Sequence, residues 1–230
     1  MSQNGNSLEL EDVRKTFPEP SGEGQFVVLD DVTFEVPEGS FTTIMGPSGC
    51  GKSTILNIIS GILPAESGTI RLNGEQVEPG SFSFGYVFQD PRLLNWRTVR
   101  QNLKFALNAH DVPEEEHDER IHGWLDKVGL AGEEQNYPLR LSGGMRQRIG
   151  LTRAMVLNPD ILLMDEPFSA LDEVTARKLR RDLLDIWSEE RKKVLFVTHD
   201  ISEAVFLSDQ ILFMNDEGVI FKRAEIDVPR

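Results

Sequence analysis

The chain has 230 residues, and 38 acidic against 24 basic side chains give it a formal charge of −14 at neutral pH, which excludes a basic nucleic-acid surface spread over the whole chain and confines any phosphate site to a local device. With 39% hydrophobic and 27% charged residues it reads as a folded globular protein able to bury one large core. No apolar run exceeds four residues, far short of the roughly 20 that a membrane-crossing helix needs.

Met1–Leu10 has no cationic stretch followed by an apolar run, so no secretion leader is read there, and a single cysteine, Cys50, can close no internal disulfide. Both point to a cytosolic protein. Pro18–Gly24 is a flexible loop by composition. Apolar, β-rich runs follow at Phe26–Leu29, Phe41–Met45 and Phe84–Phe88, mostly bounded by Gly, Pro, Asp or Asn, the pattern of strands buried on both faces of a parallel sheet. From Pro91 to Asn158 the strand signal stops, and the segment reads as helices broken at Asp111–Pro113 and around Gly129–Pro138. The acidic run Pro113–Arg120 should open a solvated helix, because carboxylates are favoured at the positive end of the helix dipole; a cation site is the alternative. Beyond Asp172, Leu179, Leu183, Ile186 and Trp187 recur at helical spacing, with Arg177, Lys178, Arg180 and Arg181 on the other face. Since strand signals resume at Ile161–Met164, Val194–Thr198 and Ile211–Met214, the helical stretch is an insertion in an α/β core.

Gly46, Pro47, Ser48, Gly49, Cys50, Gly51, Lys52 and Ser53 fit GxxxxGK(S/T), directly after one strand run and before the helical pattern that begins at Thr54. Glycines at that spacing let the backbone curl so that its N–H groups point inward, and the following helix presents its positive end to the same anion. Lys52 would reach the outer phosphates of a nucleotide, and the Ser53 hydroxyl would ligate Mg²⁺. Asp165 and Glu166 end another strand run; at the carboxyl edge of a sheet the first acid can hold Mg²⁺ through water while the second polarises an attacking water. Leu141–Arg148 contains two adjacent glycines and leads into a helix, whose N-terminus also offers amides to an anion.

With a lone Gln89 after Phe84–Phe88, the order and spacing of the Gly46–Ser53 loop, Leu141-Ser142-Gly143-Gly144-Met145, Met164-Asp165-Glu166-Pro167, Ser169-Ala170-Leu171-Asp172 and Thr198-His199-Asp200 resemble the ATP-binding cassette (ABC) ATPases over essentially the whole chain. The resemblance implies an α/β P-loop NTPase (RecA-like) core with a mostly parallel sheet, an N-terminal antiparallel β part and an inserted helical sub-domain. Residues 1–90 and 159–230 would form the core and 91–158 the sub-domain. It implies ATP and Mg²⁺ as ligands. Glu166 would act on the attacking water, His199 would contact the γ-phosphate and align that water, and Gln89 would touch Mg²⁺ and the water. Ser53, Gln89 and Asp165 would surround the metal. Two copies would stack head to tail as a homodimer, so that Ser142, Gly143 and Gly144 of one reach the γ-phosphate held by Lys52 of the other. Asp172 would cross that interface, although it could equally cap the next helix.

This sequence departs from the family pattern at several positions. The aromatic that stacks on adenine is here Phe17, with Phe26 as rival, and Met145 stands where many members have Gln. Cys50 lies among the phosphate-binding amides, either as a small residue that fits or as a thiol acidified by the helix N-terminus. One cassette, no sustained heptads between Gln89 and Leu141, and an end about 30 residues past His199 leave a transporter subunit. Leu93–Leu103, Leu163–Asp172 and Phe196–Asp209 are similar to the nitrate/sulfonate/taurine importer group. The resemblance then implies an integral membrane permease, an extracytoplasmic solute-binding protein in the full system, and a peripheral place on the cytoplasmic face of the membrane; a short permease helix would dock near Leu93, Leu94, Trp96 and Val99 if those apolar residues are exposed, the alternative being that they pack within the sub-domain. No nucleic-acid partner is expected. A lipid or lipoprotein exporter subunit and a soluble DNA-repair-type ATPase are the alternatives.

Overall fold

The computed structural model describes residues 6–19, 22 and 24–227. Met1–Gly5, within the stretch weighed as a leader, and Pro20, Ser21 and Glu23 of the expected loop lie outside them. In chain order the elements are β1 (Leu8–Pro18), β2 (Gln25–Val36), β3 (Phe41–Met45), α1 (Lys52–Ile59), β4 (Ser67–Leu72), β5 (Glu75–Gln76), β6 (Phe84–Val87), α2 (Val99–Ala109) and α3 (Glu114–Lys127). After a 3-10 turn at Pro138–Arg140 come α4 (Gly143–Met155), β7 (Ile161–Asp165), α5 (Glu173–Glu190), β8 (Lys193–Thr198), α6 (Ile201–Leu207), β9 (Gln210–Met214) and β10 (Ile220–Glu225). Two compact units divide the chain, residues 1–82 with 191–230 and residues 83–190.

In the first unit an antiparallel sheet runs β2-β1-β4-β5. The lower half of β2 alternates as a one-sided sheet requires, with Val32, Phe34 and Val36 buried and Thr33 and Glu35 exposed. β1 starts the same way at Leu8 and Leu10, but Asp12 takes φ +51° and the register slips before Val13, a bulge that breaks the period. The same unit holds β10-β9-β3-β8, in which β3 pairs parallel with both β8 and β9 while β10 runs antiparallel at the end. Every residue of β8 is buried, and between Lys193 and Thr198 the strand reads as the unbroken apolar run Val194–Val197. The buried hydroxyls of β3 are satisfied: Thr42 Oγ1 accepts from Gln210 Nε2 at 2.8 Å, and Thr43 bonds Ser208. Phe26–Leu29 corrects the expectation of a strand buried on both faces of a parallel sheet. It lies in antiparallel β2, with Phe26 44% exposed and only Leu29 buried, because four apolar residues in a row carry no period to distinguish the two cases.

In the second unit β6 and β7 pair in parallel, from Phe84 opposite Ile161 to Val87 opposite Met164. Leu151 of α4 and Leu179 and Leu183 of α5 close an apolar pocket with Val87, Met164 and Phe168. The expected breaks fall between α2 and α3 and between α3 and α4. α2 opens with a capping box, Thr98 accepting from the Gln101 amide and the Gln101 side chain accepting from the Thr98 amide. α3 opens on Glu114, Glu115 and Glu116, and acids of that helix pair with Arg100, Lys104 and Arg120. Arg180, expected on the solvated face of α5, is 5% exposed and donates to Glu173 Oε1 at 2.8 Å, since at i+4 from Ala176 and i−3 from Leu183 it belongs to the buried stripe.

Candidate active site

In the first unit Met45 pairs with Thr198, so the loop after β3 and His199 after β8 leave the same edge of the sheet, the carboxyl edge where α/β folds hold ligands. The loop Gly46–Gly51 rises from β3 and ends as the N-cap of α1. Gly51 sits at φ +105°, where any Cβ would stand 2.7 Å from the Val28 carbonyl oxygen, and Gly49 at φ +85°. A Cβ at Gly46 would come within 2.5 Å of the Met214 carbonyl oxygen. The loop is therefore wedged between β2 and the end of β9, and its backbone path admits only glycine at those two contacts. Lys52 is 4% exposed, and its Nζ donates to the carbonyl oxygens of Gly46 and Pro47 at 2.9 and 2.7 Å. Pro47, Ser48, Gly49 and Ser53 are exposed and Thr54 half-buried. Gly51 has no side chain with which to cap α1, and the positive end of that helix dipole favours an anion at the loop. Burial pushes the Cys50 thiol pKa up, against a smaller lowering by Lys52, the opposite direction to a thiol acidified by the helix N-terminus.

Phe17 and Phe26 are cross-strand partners on β1 and β2, stacked with centroids 6.2 Å apart, and the Lys15 ammonium lies 5.4 Å from the Phe17 centroid. Phe26 lies two residues before Val28, whose carbonyl oxygen is the β2 atom nearest to a Cβ at Gly51 of the loop. His199 is exposed between two anchored neighbours. Thr198 Oγ1 donates to Glu203 Oε2 at 2.6 Å and accepts from the Asp200 amide at 3.0 Å, and Asp200 caps α6 by accepting from the Ser202 and Glu203 amides. Glu203, buried and not anticipated from the sequence, is the anchor of this turn; its position three residues after the capping Asp200 is the local signal that was there to find.

In the second unit Val87 pairs with Met164, so Gln89 and Asp165 also emerge at one sheet edge. Gln89, Asp165, Gly143, Arg146 and Leu171 line a pocket of about 480 Å³. Burial, and after it the Asp165 carboxylate that its hydroxyl bonds, raise the Tyr86 pKa well above the ordinary phenol value. Glu166 takes φ +42°, a left-handed conformation uncommon for a non-glycine residue, and its carbonyl oxygen accepts from the Ser169 amide and hydroxyl at 3.2 and 2.9 Å. Ser142 caps α4, accepting from the Met145 amide at 3.3 Å, with Gly143 and Gly144 as the first residues of that helix. Asp172 Oδ1 accepts from the Thr175 amide at 3.1 Å, so the capping role is filled in this chain. Hydrogen bonds from the Thr175 hydroxyl and amide hold the Asp172 carboxyl below its usual pKa.

The donor sets suit the expected ligands: a curled glycine loop with an uncapped helix start and an inward lysine for phosphates, and the oxygens of Gln89 and Asp165 in one pocket for a hard cation. The segment expected to dock a permease divides. Trp96 is 74% exposed and Leu93 and Leu94 half-buried, but Val99 is fully buried at the first turn of α2 and cannot present a surface.

Residues 29–169 match the ABC transporter family. The taurine import ATP-binding protein TauB of Escherichia coli O157:H7 is 41% identical over 204 residues, 88% of this chain and 80% of its own length. The aliphatic sulfonates import ATP-binding protein SsuB of Bacillus cereus is 39% identical over 224 residues, 97% of this chain and 87% of its own. A solved dimeric structure of an ATP-binding cassette in a post-hydrolysis state, bound to ADP and Pi, aligns with a TM-score of 0.81 at 30% identity and covers 96% of this chain and 100% of that one.

Proposed function

The chain belongs to the ABC transporter family as an ATP-hydrolysing subunit, and from that premise we propose that it energises import of a small nitrate-, sulfonate- or taurine-like solute through a membrane permease. The observation that carries the import reading is the run of roughly 40% identity to taurine and sulfonate import subunits along nearly the whole chain. Trp96, with Leu93 and Leu94 beside it, would receive a helix of the permease, and a solute-binding protein would deliver the cargo on the far side. The chain would then work at the cytoplasmic face of the membrane; among the described residues no helix is long and apolar enough to cross it.

In this reading the Gly46–Gly51 amides and Lys52 hold the phosphates, and Phe17 or Phe26 stacks on adenine. Ser53, Gln89 and Asp165 would supply oxygen ligands to Mg²⁺, which when bound would offset phosphate charge. Glu166 accepts the proton of the attacking water, and His199 orients it against the γ-phosphate. The helical segment 91–158 presents Ser142, Gly143 and Gly144 to the nucleotide of a second copy, and Asp172 faces the same interface. ATP binding closes the dimer, hydrolysis reopens it, and the docked permease follows.

The test is native mass by light scattering of Glu166→Gln with and without Mg·ATP, followed by ATPase assays on the wild-type chain reconstituted with its permease and binding protein. An ATP-dependent monomer-to-dimer shift supports the sandwich and the role of Glu166. A variant that stays monomeric yet hydrolyses at the wild-type rate removes both. Stimulation by taurine or an alkanesulfonate supports the substrate class, whereas stimulation by lipid alone, or by DNA on the isolated chain, replaces the import reading.

A further inference from the structure

Gln89 is exposed on the short segment Phe88–Arg92, yet that segment is folded on itself. The Asp90 carboxylate accepts from the Arg92 amide at 3.2 Å, Arg92 takes φ +46°, and its guanidinium lies 4.4 Å from the centroid of the Phe88 ring. Helix α4 then grips the segment at both ends. Gln147, 5% exposed, donates from Nε2 to the Phe88 carbonyl oxygen at 3.2 Å. Arg153 donates from Nη2 to the Pro91 carbonyl oxygen at 2.7 Å and from Nη1 to that of Arg92 at 3.0 Å. Burial draws the Arg153 pKa down from the ordinary guanidinium value. Between them Gly150 lets Pro91 approach so closely that an added Cβ would stand 3.3 Å from the proline ring. Gln147, Gly150 and Arg153 follow at i, i+3 and i+6, one face of the helix.

We propose that Gln147 and Arg153 are positioning residues for Gln89: by bracketing Phe88–Arg92 they fix Gln89 to the 13-residue helix whose N-cap is Ser142. An α-helix of that length is stiff, so whatever displaces Ser142 and Gly143 carries Gln89 with it. Without the two side chains, three carbonyl groups of the segment lose their donors and Gln89 loses its registry with Asp165 across their shared pocket. Such a loosening costs turnover and leaves nucleotide affinity intact, because neither side chain belongs to the Gly46–Ser53 loop. The inference rests on the ATPase reading above.

The test compares full-length Arg153→Met and Gln147→Leu with wild type, reading kcat, the ATP dissociation constant, and amide hydrogen exchange over residues 88–92. We expect kcat to fall roughly ten- to hundred-fold with the dissociation constant within about two-fold, and exchange at the Arg92 amide, which the Asp90 carboxylate holds, to quicken about ten-fold or more. Arg153→Lys, which keeps one donor toward the Pro91 carbonyl, should recover part of the rate and stands in if Arg153→Met fails to fold. Ile149→Val, buried on the same helix and outside the clamp, should keep the wild-type kcat at a comparable loss of thermal stability. Wild-type kcat and exchange in both Arg153→Met and Gln147→Leu, or an equal loss of kcat in Ile149→Val, would overturn the clamp. A wild-type chain that fails to hydrolyse ATP would instead strike the ATPase reading on which the clamp depends.

Discussion

Gly51→Ala and Gly49→Ala form a matched pair within one loop. Both glycines have positive φ, +105° and +85°, so alanine pays a similar backbone strain of about 1–2 kcal/mol at either place and gains the same reduction in unfolded-chain entropy. They differ in what the new methyl meets. At Gly49 nothing lies within 4 Å, whereas at Gly51 the methyl would press on the Val28 carbonyl oxygen at 2.7 Å and Leu29 Cδ2 at 2.8 Å. The leucine can turn away; the carbonyl belongs to β2 and cannot shift without moving the strand. Subtracting one variant from the other cancels the shared terms and leaves the overpacking cost, about 1–3 kcal/mol. For a chain of this size that is a melting-temperature gap of roughly 2–12 °C, with Gly51→Ala the lower. Thermal unfolding followed by circular dichroism reads the gap, and an ATP titration should show that Gly51→Ala also loses affinity, because the loop can no longer curl under the phosphates. Equal melting temperatures for the two variants would refute the argument that contact with β2 dictates glycine at position 51.

The exposed tryptophan and buried valine of the docking segment should separate cleanly. Trp96→Ala should keep the melting temperature of the isolated chain while reducing permease-stimulated ATPase, and Val99→Ala should lose about 2 kcal/mol of stability; the opposite pattern would move the docking surface elsewhere. Asp172 has a depressed pKa, so its contribution is present above the ordinary carboxylate pKa, about 3.9, and is lost as the pH falls through the lower folded value. Asp172→Ala should therefore melt earlier than wild type at neutral pH, and the gap should close on acidification; a gap that stays constant to the lowest pH would show that the cap hydrogen bonds from Thr175 are not the cause.

What could be read ahead of the structure was whatever rests on contiguous residues. The strand Phe41–Met45 and the glycine loop after it appear where the sequence places them, and the helix read from Thr54 starts two residues earlier at Lys52, because a phosphate cradle needs its glycines at fixed local spacing. The breaks at Asp111–Pro113 and Gly129–Pro138 also held, since proline and glycine end helices through their own backbones. β1 carries no readable alternation in the sequence, because the bulge at Asp12 shifts its buried positions out of period two.

The sequence by itself determined the class of chemistry: which residues can curl around phosphate, which carboxylates end a strand, and which turns start a helix. Those depend on side-chain type and on torsions within a few residues. Only the tertiary structure decided which polar groups are buried and whom they meet. Gln147 and Arg153 reach carbonyls 59 to 62 residues away, and Val99 is sealed while Trp96 stays in solvent. Burial is a property of the assembled surface, and an unpaired polar group inside it is costly enough that distant partners must be found for it. No local pattern records those partners.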